Sequence, residues 1–375
     1  MRIGITCYPT YGGSGIVATE LGMELAARGH EVHFISYANP IRLDAGLERI
    51  HYHEVEVSTY PLFAYPPYCL ALASRMAEVA VRYQLDLLHV HYAIPHSISA
   101  LLARQMLAGV RPLPFITTLH GTDITLVGAD RSYFPITKFS IESSDGITAV
   151  SNYLQQRTVE VFGISGEIRM IPNFVNCDVY RPAAKSRGNT RTLIHISNFR
   201  PVKRVADCVR ILERVRREMP ARLWLAGDGP ERGPAEELAR ELGVAEHVEF
   251  LGKQDHVERL IPGADVLLLP SEHEAFGLAA LEAMACGVPP VATRTGGVGE
   301  VVTHGVDGFL EQPGDIEAQA ARVVSLLSDT AHCERIAQAA RRTAESRFST
   351  TRIIPMYEAY YREVCGRAGA ALRDP

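Results

Sequence analysis

Two Rossmann-like, doubly wound α/β domains are predicted, each with a parallel sheet covered by helices on both faces. Short β-branched runs alternate with stretches of helical apolar spacing along most of the 375 residues. Such alternation is typical of βαβ units. The pattern breaks over the polar segment 181–191, a linker, and restarts after it. We therefore predict a first domain over residues 1–170, a second over 171–348, and a terminal helix over 349–375 that packs back across the domain junction.

Each predicted strand is a short apolar run bounded by glycine, proline or polar residues. In the first domain these runs are Arg2–Tyr8, Glu31–Ser36, Leu87–His91, Pro114–Leu119 and Gly146–Val150. Helical spacing occurs between them in Ile16–Arg28, Leu70–Tyr83 and Ser97–Leu107. The second domain has strand-like runs at Leu193–Ser197, Arg222–Ala226, Val248–Leu251, Val266–Leu269 and Val288–Thr293, and a helical tail at Thr351–Arg367. Because doubly wound sheets bind ligands beyond the carboxyl ends of their strands, we expect the domains to face each other across a cleft.

Composition excludes several protein classes. Hydrophobic residues make up 47% and charged residues 22%, an ordinary globular mixture. No run of ~18 apolar residues predicts a membrane span, and Met1–Cys7 is typical of a strand, not of a signal peptide. The net charge of -5 gives no indication of nucleic acid or an acidic membrane as partner. The seven cysteines are dispersed without a C-x-x-C pair, so we expect a reducing, cytoplasmic location.

A glycine loop follows the first strand. Gly13, Gly15 and Ala18 fit the G-x-G-x-x-A pattern of dinucleotide-binding proteins. That function needs an acidic residue near the end of the second strand, where 36–40 reads Ser-Tyr-Ala-Asn-Pro. Nicotinamide binding is therefore disfavoured. The loop either brings a ligand close to the backbone at a helix N-terminus or is a structural turn.

The most informative motif lies in segment 270–289 of the second domain. Glu274 precedes a helix that is predicted to start near Gly277, whereas Glu282 lies about five residues into it, ~7 Å along the axis. Helical side chains lean toward the N-terminus, so Glu282 is placed to bind a diol while the amides of Gly277 and Leu278 hold a phosphate. The alternative is that Glu282 is a solvated helix residue.

Two cations follow the first strand of the second domain. Arg200 and Lys203 lie at the start of a predicted helix, where they suit a diphosphate leaving group. Lys203 is one of only four lysines in the chain; the alternative is ordinary surface charge. Because these cations neutralise a diphosphate and no paired-aspartate motif follows a strand, no metal and no other cofactor are expected.

Strand ends of the first domain carry further polar candidates. His89 and His91 share one face of a strand, which makes a metal conceivable, but no third ligand follows at a fixed spacing. The same strand end offers Tyr92 to the cleft. His120 ends another strand, either at a site or as a structural histidine. At Ser151-Asn152, helix capping and acceptor binding are both open.

The E-x7-E pair Glu274/Glu282 around Phe276-Gly277, with Gly296-Gly297-Val298-Gly299-Glu300 after it, resembles the retaining GT-B glycosyltransferases of family 4. The resemblance covers nearly the whole chain. It implies a retaining hexosyltransferase in which Glu282 holds the nucleotide ribose, Glu274 contacts the transferred sugar, and the basic pair binds the pyrophosphate. It gives as catalytic residues His120, Glu274, Lys203 and Arg200, and as donor-binding residues Gly13, Asn198, Phe276, Gly277, Leu278, Glu282 and Leu251.

One position departs from that family. Many members have arginine at the position of Asn198, whereas here the arginine is at 200. The resemblance therefore leaves open which of the two carries the phosphate contact. The loop Phe250–Lys253 would lie at the nucleotide base and contact it through its backbone.

Within the family, the ensemble of strand-end motifs most resembles members that transfer N-acetylglucosamine from UDP-GlcNAc to L-malate in bacillithiol biosynthesis. The acceptor-binding residues then expected are Ser14, Tyr92, Thr122, Asn152 and Lys138. Three alternatives stay open: another acceptor such as an inositol phosphate or a lipid-linked sugar, a UDP-GlcNAc epimerase, and a non-catalytic sugar-nucleotide sensor. Small molecules are the expected partners, with no nucleic acid and no membrane, and a homo-oligomer remains open.

Overall fold

The structure is a computed structural model that describes residues 1–43, 46–58, 61–183 and 189–370. The chain forms two compact units. The first comprises Met1–Pro172 and the chain from Ile353 onward, and the second comprises Asn173–Arg352. Residues 184–188 of the predicted linker lie outside the described residues. No helix of the described chain is long and apolar enough to cross a membrane.

The first unit contains a seven-stranded parallel sheet in the order β3-β2-β1-β4-β5-β6-β7. Its strands are β1 (Arg2–Thr6), β2 (Glu31–Ser36), β3 (Ile50–Glu54), β4 (Leu87–His91), β5 (Phe115–Leu119), β6 (Gly146–Ala149) and β7 (Ile168–Met170). Its helices before the second unit are α1 (Gly13–Ala27), α2 (Tyr68–Tyr83), α3 (Ile98–Met106), α4 (Thr122–Thr125), α5 (Phe134–Glu142) and α6 (Asn152–Phe162).

The second unit repeats this plan with a six-stranded parallel sheet in the order β10-β9-β8-β11-β12-β13. Its strands are β8 (Arg191–Ile196), β9 (Ala221–Ala226), β10 (Val248–Gly252), β11 (Val266–Leu269), β12 (Pro290–Thr293) and β13 (Phe309–Glu311). Its helices are α7 (Val205–Arg216), α8 (Arg232–Glu241), α9 (Val257–Leu260), α10 (Leu278–Ala285), α11 (Val298–Val301), α12 (Ile316–Ser328) and α13 (Thr330–Phe348), followed by α14 (Thr350–Ala370).

The doubly wound fold is confirmed, and the strand order identifies where each sheet binds ligands. The order reverses between β1 and β4 in the first unit and between β8 and β11 in the second. At such a switch point the neighbouring loops leave in opposite directions and open a crevice beyond the carboxyl ends of the strands. The segments that follow these four strands contain most of the predicted site residues.

Three strands were missed by the sequence analysis. β3 reads Ile-His-Tyr-His-Glu, whose polar residues hide the strand pattern, while β7 and β13 have only three residues each. The first strand ends at Thr6 and not at Tyr8, and α1 starts at Gly13, three residues before the predicted Ile16. Because glycine is a poor helix former, the sequence pattern did not predict that the first helical turn includes Gly13 and Gly15.

The terminal helix α14 packs on the first unit. Its Tyr360 hydroxyl accepts a hydrogen bond from the Ile147 amide at 3.0 Å, and its Tyr361 hydroxyl lies 2.7 Å from Nδ1 of His89. Tyr357 and Tyr361 are fully buried. The helix therefore supplies part of the core under the central strands.

Candidate active site

Two loops meet beyond the switch point of the second sheet. The Glu272 amide donates to the Val202 carbonyl at 2.8 Å, which joins the segment after β11 to the segment after β8. Lys203 Nζ lies 2.6 Å from Glu274 Oε1, and the Ser271 hydroxyl donates to the same oxygen at 2.9 Å. The Lys203 and Glu274 side chains are only 22% and 13% exposed. The structure thus brings together two predicted catalytic residues that are 71 positions apart.

Helix α10 presents its N-terminus beside these loops. Gly277, with φ 96°, lies in the left-handed region that glycine adopts without strain and directs the chain into Leu278. None of the described side chains caps this end, and the first turn carries no acidic residue. The amides of the first turn and the helix dipole therefore favour an anion. The Gly297 amide donates to the Glu274 carbonyl at 3.0 Å, so the second glycine motif positions this loop.

Glu282 is not a solvated helix residue. It is 5% exposed, and the Tyr180 hydroxyl donates to its Oε1 at 2.8 Å. Arg341 in turn binds the carbonyls of Cys177 and Tyr180 and, at the end of α10, that of Ala285. Tyr180 and Arg341 were not predicted, because nothing in the sequence links residues so far apart.

Asn198 and Arg200 differ in their surroundings. The Asn198 Oδ1 atom is buried and has no hydrogen-bond partner among the described residues, whereas Arg200 is exposed. Gly227 and Gly229 follow β9 and approach the Asn198 loop. A Cβ atom on Gly227 would lie 1.8 Å from the Ser197 carbonyl oxygen, and one on Gly229 would lie 2.2 Å from that of Asn198. These two glycines were missed, although a Gly-x-Gly turn at a strand end is a usable signal.

His195 positions the start of that loop. Its Nδ1 lies 3.0 Å from the Leu268 carbonyl oxygen and its Nε2 lies 2.8 Å from the Ser197 hydroxyl. Burial lowers the pKa of His195 to about 4. The neutral ring therefore donates from Nδ1 to the carbonyl and accepts the serine hydroxyl at Nε2.

Phe276 and Leu251 each contact another residue of the second unit. Phe276 is buried and its ring meets Phe348 edge-on at 5.7 Å. The Leu251 carbonyl accepts from Gln254 Nε2 at 2.6 Å. This carbonyl oxygen has a second lone pair, so the predicted backbone contact to a nucleotide base stays a prediction.

In the first unit, the glycine loop leads into α1. A Cβ atom on Gly15 would lie 2.4 Å from the Tyr8 carbonyl oxygen, so the turn requires glycine there. Gly13 and Ser14 open the helix, whose first turn contains no acidic residue and receives no hydrogen bond from a described capping side chain. This N-terminus is a second place that favours an anion.

Tyr92 and Thr122 meet beyond β4 and β5. The Tyr92 hydroxyl forms a short hydrogen bond with Thr122 Oγ1, and the Tyr92 ring meets that of Tyr8 edge-on at 5.2 Å. The φ angle of Tyr92 is 97°, a conformation rarely adopted by a tyrosine. Strain of this kind often marks a functional site.

Asp123 fixes both strand-end loops. Its carboxylate accepts from the amides of Ala93 at 3.1 Å, His120 at 3.1 Å and Gly121 at 2.7 Å. Burial raises the pKa of Asp123 to about 6, although these amides oppose the shift. Asp123 was not predicted to be a site residue, because its role depends on contacts with two loops that the sequence does not pair.

His120 is partly buried and belongs to a group of neutral histidines in which His91 and His96 are fully buried. Its Nε2 lies 2.9 Å from Nδ1 of His91. The His96 Nδ1 atom donates to the His91 carbonyl at 2.6 Å. Burial is the main cause that lowers the pKa of His120 to about 3 and that of His96 to about 4, and it keeps that of His91 well below 6.5. His120 is therefore suited to hydrogen bonding and not to supplying a positive charge.

On β4, His89 of the pair His89 and His91 has no ring nitrogen left for a metal ion. Both ring nitrogens of His89 have partners, with Nδ1 2.7 Å from the Tyr361 hydroxyl and Nε2 2.6 Å from Thr118 Oγ1. His89 thus connects the sheet to α14. Burial lowers its pKa to about 3.

Lys138 and Asn152 lie at opposite ends of helix α6. Ser151 caps α6 by accepting the Leu154 amide at 3.1 Å, and Asn152 is exposed at the start of this helix. Lys138 Nζ binds Glu142 at 2.6 Å and the Phe162 carbonyl at 2.7 Å, at the other end. Those ends lie ~15 Å apart at 1.5 Å per residue. Lys138 therefore binds the C-terminal end of α6, and its contact with the acceptor stays a prediction.

Comparison with known proteins assigns the chain to a family. A family model described as "Glycosyltransferase Family 4" matches residues 11–179, and one described as "Glycosyl transferases group 1" matches residues 178–343. The chain is 47% identical to N-acetyl-alpha-D-glucosaminyl L-malate synthase of Bacillus anthracis over 97% of either protein. The chain belongs to glycosyltransferase family 4. This confirms the family predicted from the E-x7-E and glycine motifs.

Solved structures agree with the fold of this family 4 glycosyltransferase. Sucrose-phosphate synthase from Thermosynechococcus elongatus matches with a TM-score of 0.81 at 21% identity, over 98% of this chain and 99% of that one. Alr3699/HepE of Anabaena, solved in complex with UDP and glucose, matches with a TM-score of 0.79 at 20% identity, over 97% and 100%. Such identities show the fold alone, which is GT-B. The glycosyltransferase therefore has the two parallel-sheet domains that the sequence predicted.

Proposed function

We propose that this glycosyltransferase moves N-acetylglucosamine from UDP-GlcNAc to the hydroxyl of L-malate, with retention of configuration and without a metal cofactor. The observation that carries the proposal is the 47% identity to an N-acetyl-alpha-D-glucosaminyl L-malate synthase, which extends over 97% of both chains and so includes both domains. The name of that relative specifies an α-linked product. UDP-GlcNAc is itself α-linked, so the proposed reaction retains the anomeric configuration.

The second domain is proposed to bind the donor. The α10 N-terminus and Lys203 are suited to the diphosphate, and the buried Glu282 carboxylate is suited to the ribose diol. Glu274 is proposed to contact the sugar. Because its Oε1 already binds Lys203 and Ser271, the second oxygen is the natural one for a sugar hydroxyl. Asn198 and Arg200 complete the phosphate loop.

The first domain is proposed to bind the acceptor and one face of the sugar. Ser14 at the α1 N-terminus, Tyr92, Thr122 and Asn152 are all uncharged donors suited to the carboxylates and hydroxyl of malate. His120 is neutral, and because its Nε2 contacts His91, its Nδ1 is the nitrogen proposed to contact a sugar hydroxyl. Lys138 is left out of this set because it closes α6.

In the proposed reaction, the malate hydroxyl attacks the anomeric carbon from the face that UDP leaves. The bond from this carbon to the β-phosphate oxygen breaks as the bond to the malate oxygen forms, and the hydroxyl proton passes to a β-phosphate oxygen of UDP. Lys203, Arg200 and the amides at Gly277–Leu278 stabilise the charge that develops on the diphosphate. Since these groups supply positive charge themselves, no metal ion is needed for the leaving group.

The test is an incubation of UDP-GlcNAc with separate acceptors: L-malate, D-malate, other hydroxy acids, inositol and inositol phosphate. Mass spectrometry identifies the product, and NMR determines its anomeric configuration. We expect an α-linked N-acetylglucosaminyl malate and UDP release that requires L-malate. A product formed with inositol phosphate and not with malate would refute the proposed acceptor. A β-linked product would refute the front-face mechanism. UDP release without an acceptor, together with an epimerised sugar, would refute the transfer reaction itself.

The proposed independence of the reaction from metal ions is tested separately. Protein treated with EDTA and transferred to chelator-free buffer is expected to keep its full rate, and added Mg²⁺ or Mn²⁺ is expected to leave it unchanged. A rate that depends on either ion would contradict the proposal.

A further inference from the structure

A second polar cluster lies at the amino end of β2, at the opposite edge of the sheet from the strand ends described above. It consists of Glu31 and His33 on β2 and His51 on the edge strand β3. The parallel register pairs His33 with His51, and Glu31 precedes His33 by two residues. Side chains two residues apart project from the same face of a strand. The register therefore gathers these three side chains on one face.

The distances between their polar atoms are those of a metal-binding site. Glu31 Oε1 lies 3.4 Å from Nε2 of His33 and 3.4 Å from Nε2 of His51. All three ligand atoms lie within 4.8 Å of one another, and no other group of three His, Cys, Asp or Glu side chains among the described residues meets that condition. With metal–ligand bonds of 2.0–2.1 Å, a tetrahedral ion holds its ligand atoms ~3.4 Å apart. The cluster therefore needs little adjustment to hold such an ion.

His33 presents an unused lone pair to this cluster. The side chain is fully buried, and its Nε2 has no hydrogen-bond partner among the described residues. Its Nδ1 lies 2.9 Å from Nε2 of His53. When Nδ1–H donates to His53, Nε2 is the free acceptor, the arrangement in which an outer histidine orients a metal ligand.

The second oxygen of the carboxylate is already occupied. Arg2 Nε lies 3.3 Å from Glu31 Oε2, which leaves Oε1 facing the two imidazoles. His51 is 42% exposed and Glu31 33% exposed, so an ion can enter from solvent. Two imidazole nitrogens and one carboxylate oxygen form a donor set that Zn²⁺ prefers.

We propose that Glu31, His33 and His51 form a binding site for a divalent first-row transition ion, with Zn²⁺ the best match, and that the ion links the edge strand β3 to β2. Water completes the coordination. The site stands apart from the proposed sugar transfer, because it lies at the amino end of its strands and uses no residue assigned to the reaction. Its function is to stabilise the edge of the first domain.

The experiment uses metal-free full-length protein, titrated with Co²⁺ and then with Zn²⁺. Four-coordinate Co²⁺ absorbs in the visible range, and Zn²⁺ should displace it at one equivalent per chain. The variants His51→Ala and Glu31→Gln change exposed or half-exposed ligands. Both should weaken Zn²⁺ binding by at least about tenfold. Zn²⁺ should raise the melting temperature of the parent protein and not that of His51→Ala.

The matched control is His256→Ala. His256 Nδ1 also lies 3.0 Å from a glutamate oxygen, that of Glu258, but this pair belongs to no three-ligand group. The control should bind Zn²⁺ like the parent. Absence of stoichiometric binding, or binding that persists unchanged in His51→Ala, would overturn the proposal. So would a Co²⁺ complex with intense thiolate charge-transfer absorption, because that signature would locate the ion at a cysteine.

Discussion

Replacing Lys203 with methionine tests the leaving-group role most directly. The side chain keeps nearly the same length and loses its charge, while Glu274 retains the Ser271 hydrogen bond at 2.9 Å. A unit charge ~4 Å from another contributes ~4 kcal/mol at an effective dielectric constant of 20. Because Glu274 at 2.6 Å already neutralises part of the ammonium charge, we expect a loss of ~3–4 kcal/mol in the transition state. This corresponds to a fall of about 100- to 1000-fold in kcat/KM.

The assay is steady-state UDP release with L-malate as acceptor. Arg232→Ala is the control, since this exposed ion pair with Glu236 at 2.8 Å lies in the same domain and should change the rate and stability little. The double variant Lys203→Met/Glu274→Gln is compared with Glu274→Gln alone. If Lys203 only compensates the charge of Glu274, the two variants should have the same rate; we expect the double variant to be slower. A Lys203→Met rate within about threefold of the parent would refute the leaving-group role.

Three further outcomes are expected. Glu282→Gln should raise KM for UDP-GlcNAc by about 10- to 100-fold with a smaller change in kcat, because a charged hydrogen-bond acceptor contributes ~1.5–3 kcal/mol; an unchanged donor KM in steady-state kinetics would contradict its ribose contact. Lys138→Met should leave KM for malate within about twofold and lower the melting temperature by a few degrees, whereas a large rise in KM would return this lysine to the acceptor site. Acid should destabilise the first domain before the second. The pKa values of its buried histidines are lowered from 6.5 to about 3 or 4, so these rings stay neutral in the folded domain while they take up protons in the unfolded chain. As the pH falls from ~6.5 toward the lowered pKa values, the free energy of unfolding of this domain decreases by up to ~3 kcal/mol per histidine. Urea unfolding at pH 7 and pH 4.5 measures this, with Trp224, the one tryptophan, reporting the second domain and circular dichroism reporting both; coincident transitions at pH 4.5 would be contrary evidence.

Much of the donor site could be predicted because it depends on local order along the chain. The doubly wound pattern places both Lys203 and Glu274 beyond the carboxyl ends of strands, where Lys203 was expected to bind the diphosphate and, from the family resemblance, Glu274 to contact the transferred sugar. Gly277 was recognisable as the residue before a helix, and its positive φ explains why glycine is there. The helix N-terminus and the role of Lys203 needed only strand order and helix chemistry, whereas the role of Glu274 was implied by the family resemblance.

Contacts that depend on tertiary packing could not be predicted. The Tyr180–Glu282 hydrogen bond joins residues 102 positions apart, and the sequence has no pattern that pairs them. Lys138 was a candidate because the carboxylates of the expected acceptor favour a cation, yet its partners in the structure are Glu142 and the carbonyls that end α6. The pairing of His33 with His51 depends on the register of β3, a strand whose polar composition concealed it.

In the proposed reaction, the two domains would stabilise negative charge by different means. Lys203 and the α10 N-terminus of the second domain would bind the diphosphate, whose charge increases as it leaves, so full positive charge there would contribute most in the transition state. In the first domain the candidates are neutral: His120 is held uncharged by burial, and Ser14, Tyr92, Thr122 and Asn152 are dipolar. Malate carries the same two carboxylate charges before and after transfer, so a cation there would bind substrate, transition state and product equally and lower KM without raising kcat. Neutral donors and the α1 N-terminus suit such an acceptor, because they orient the hydroxyl without holding the product too tightly.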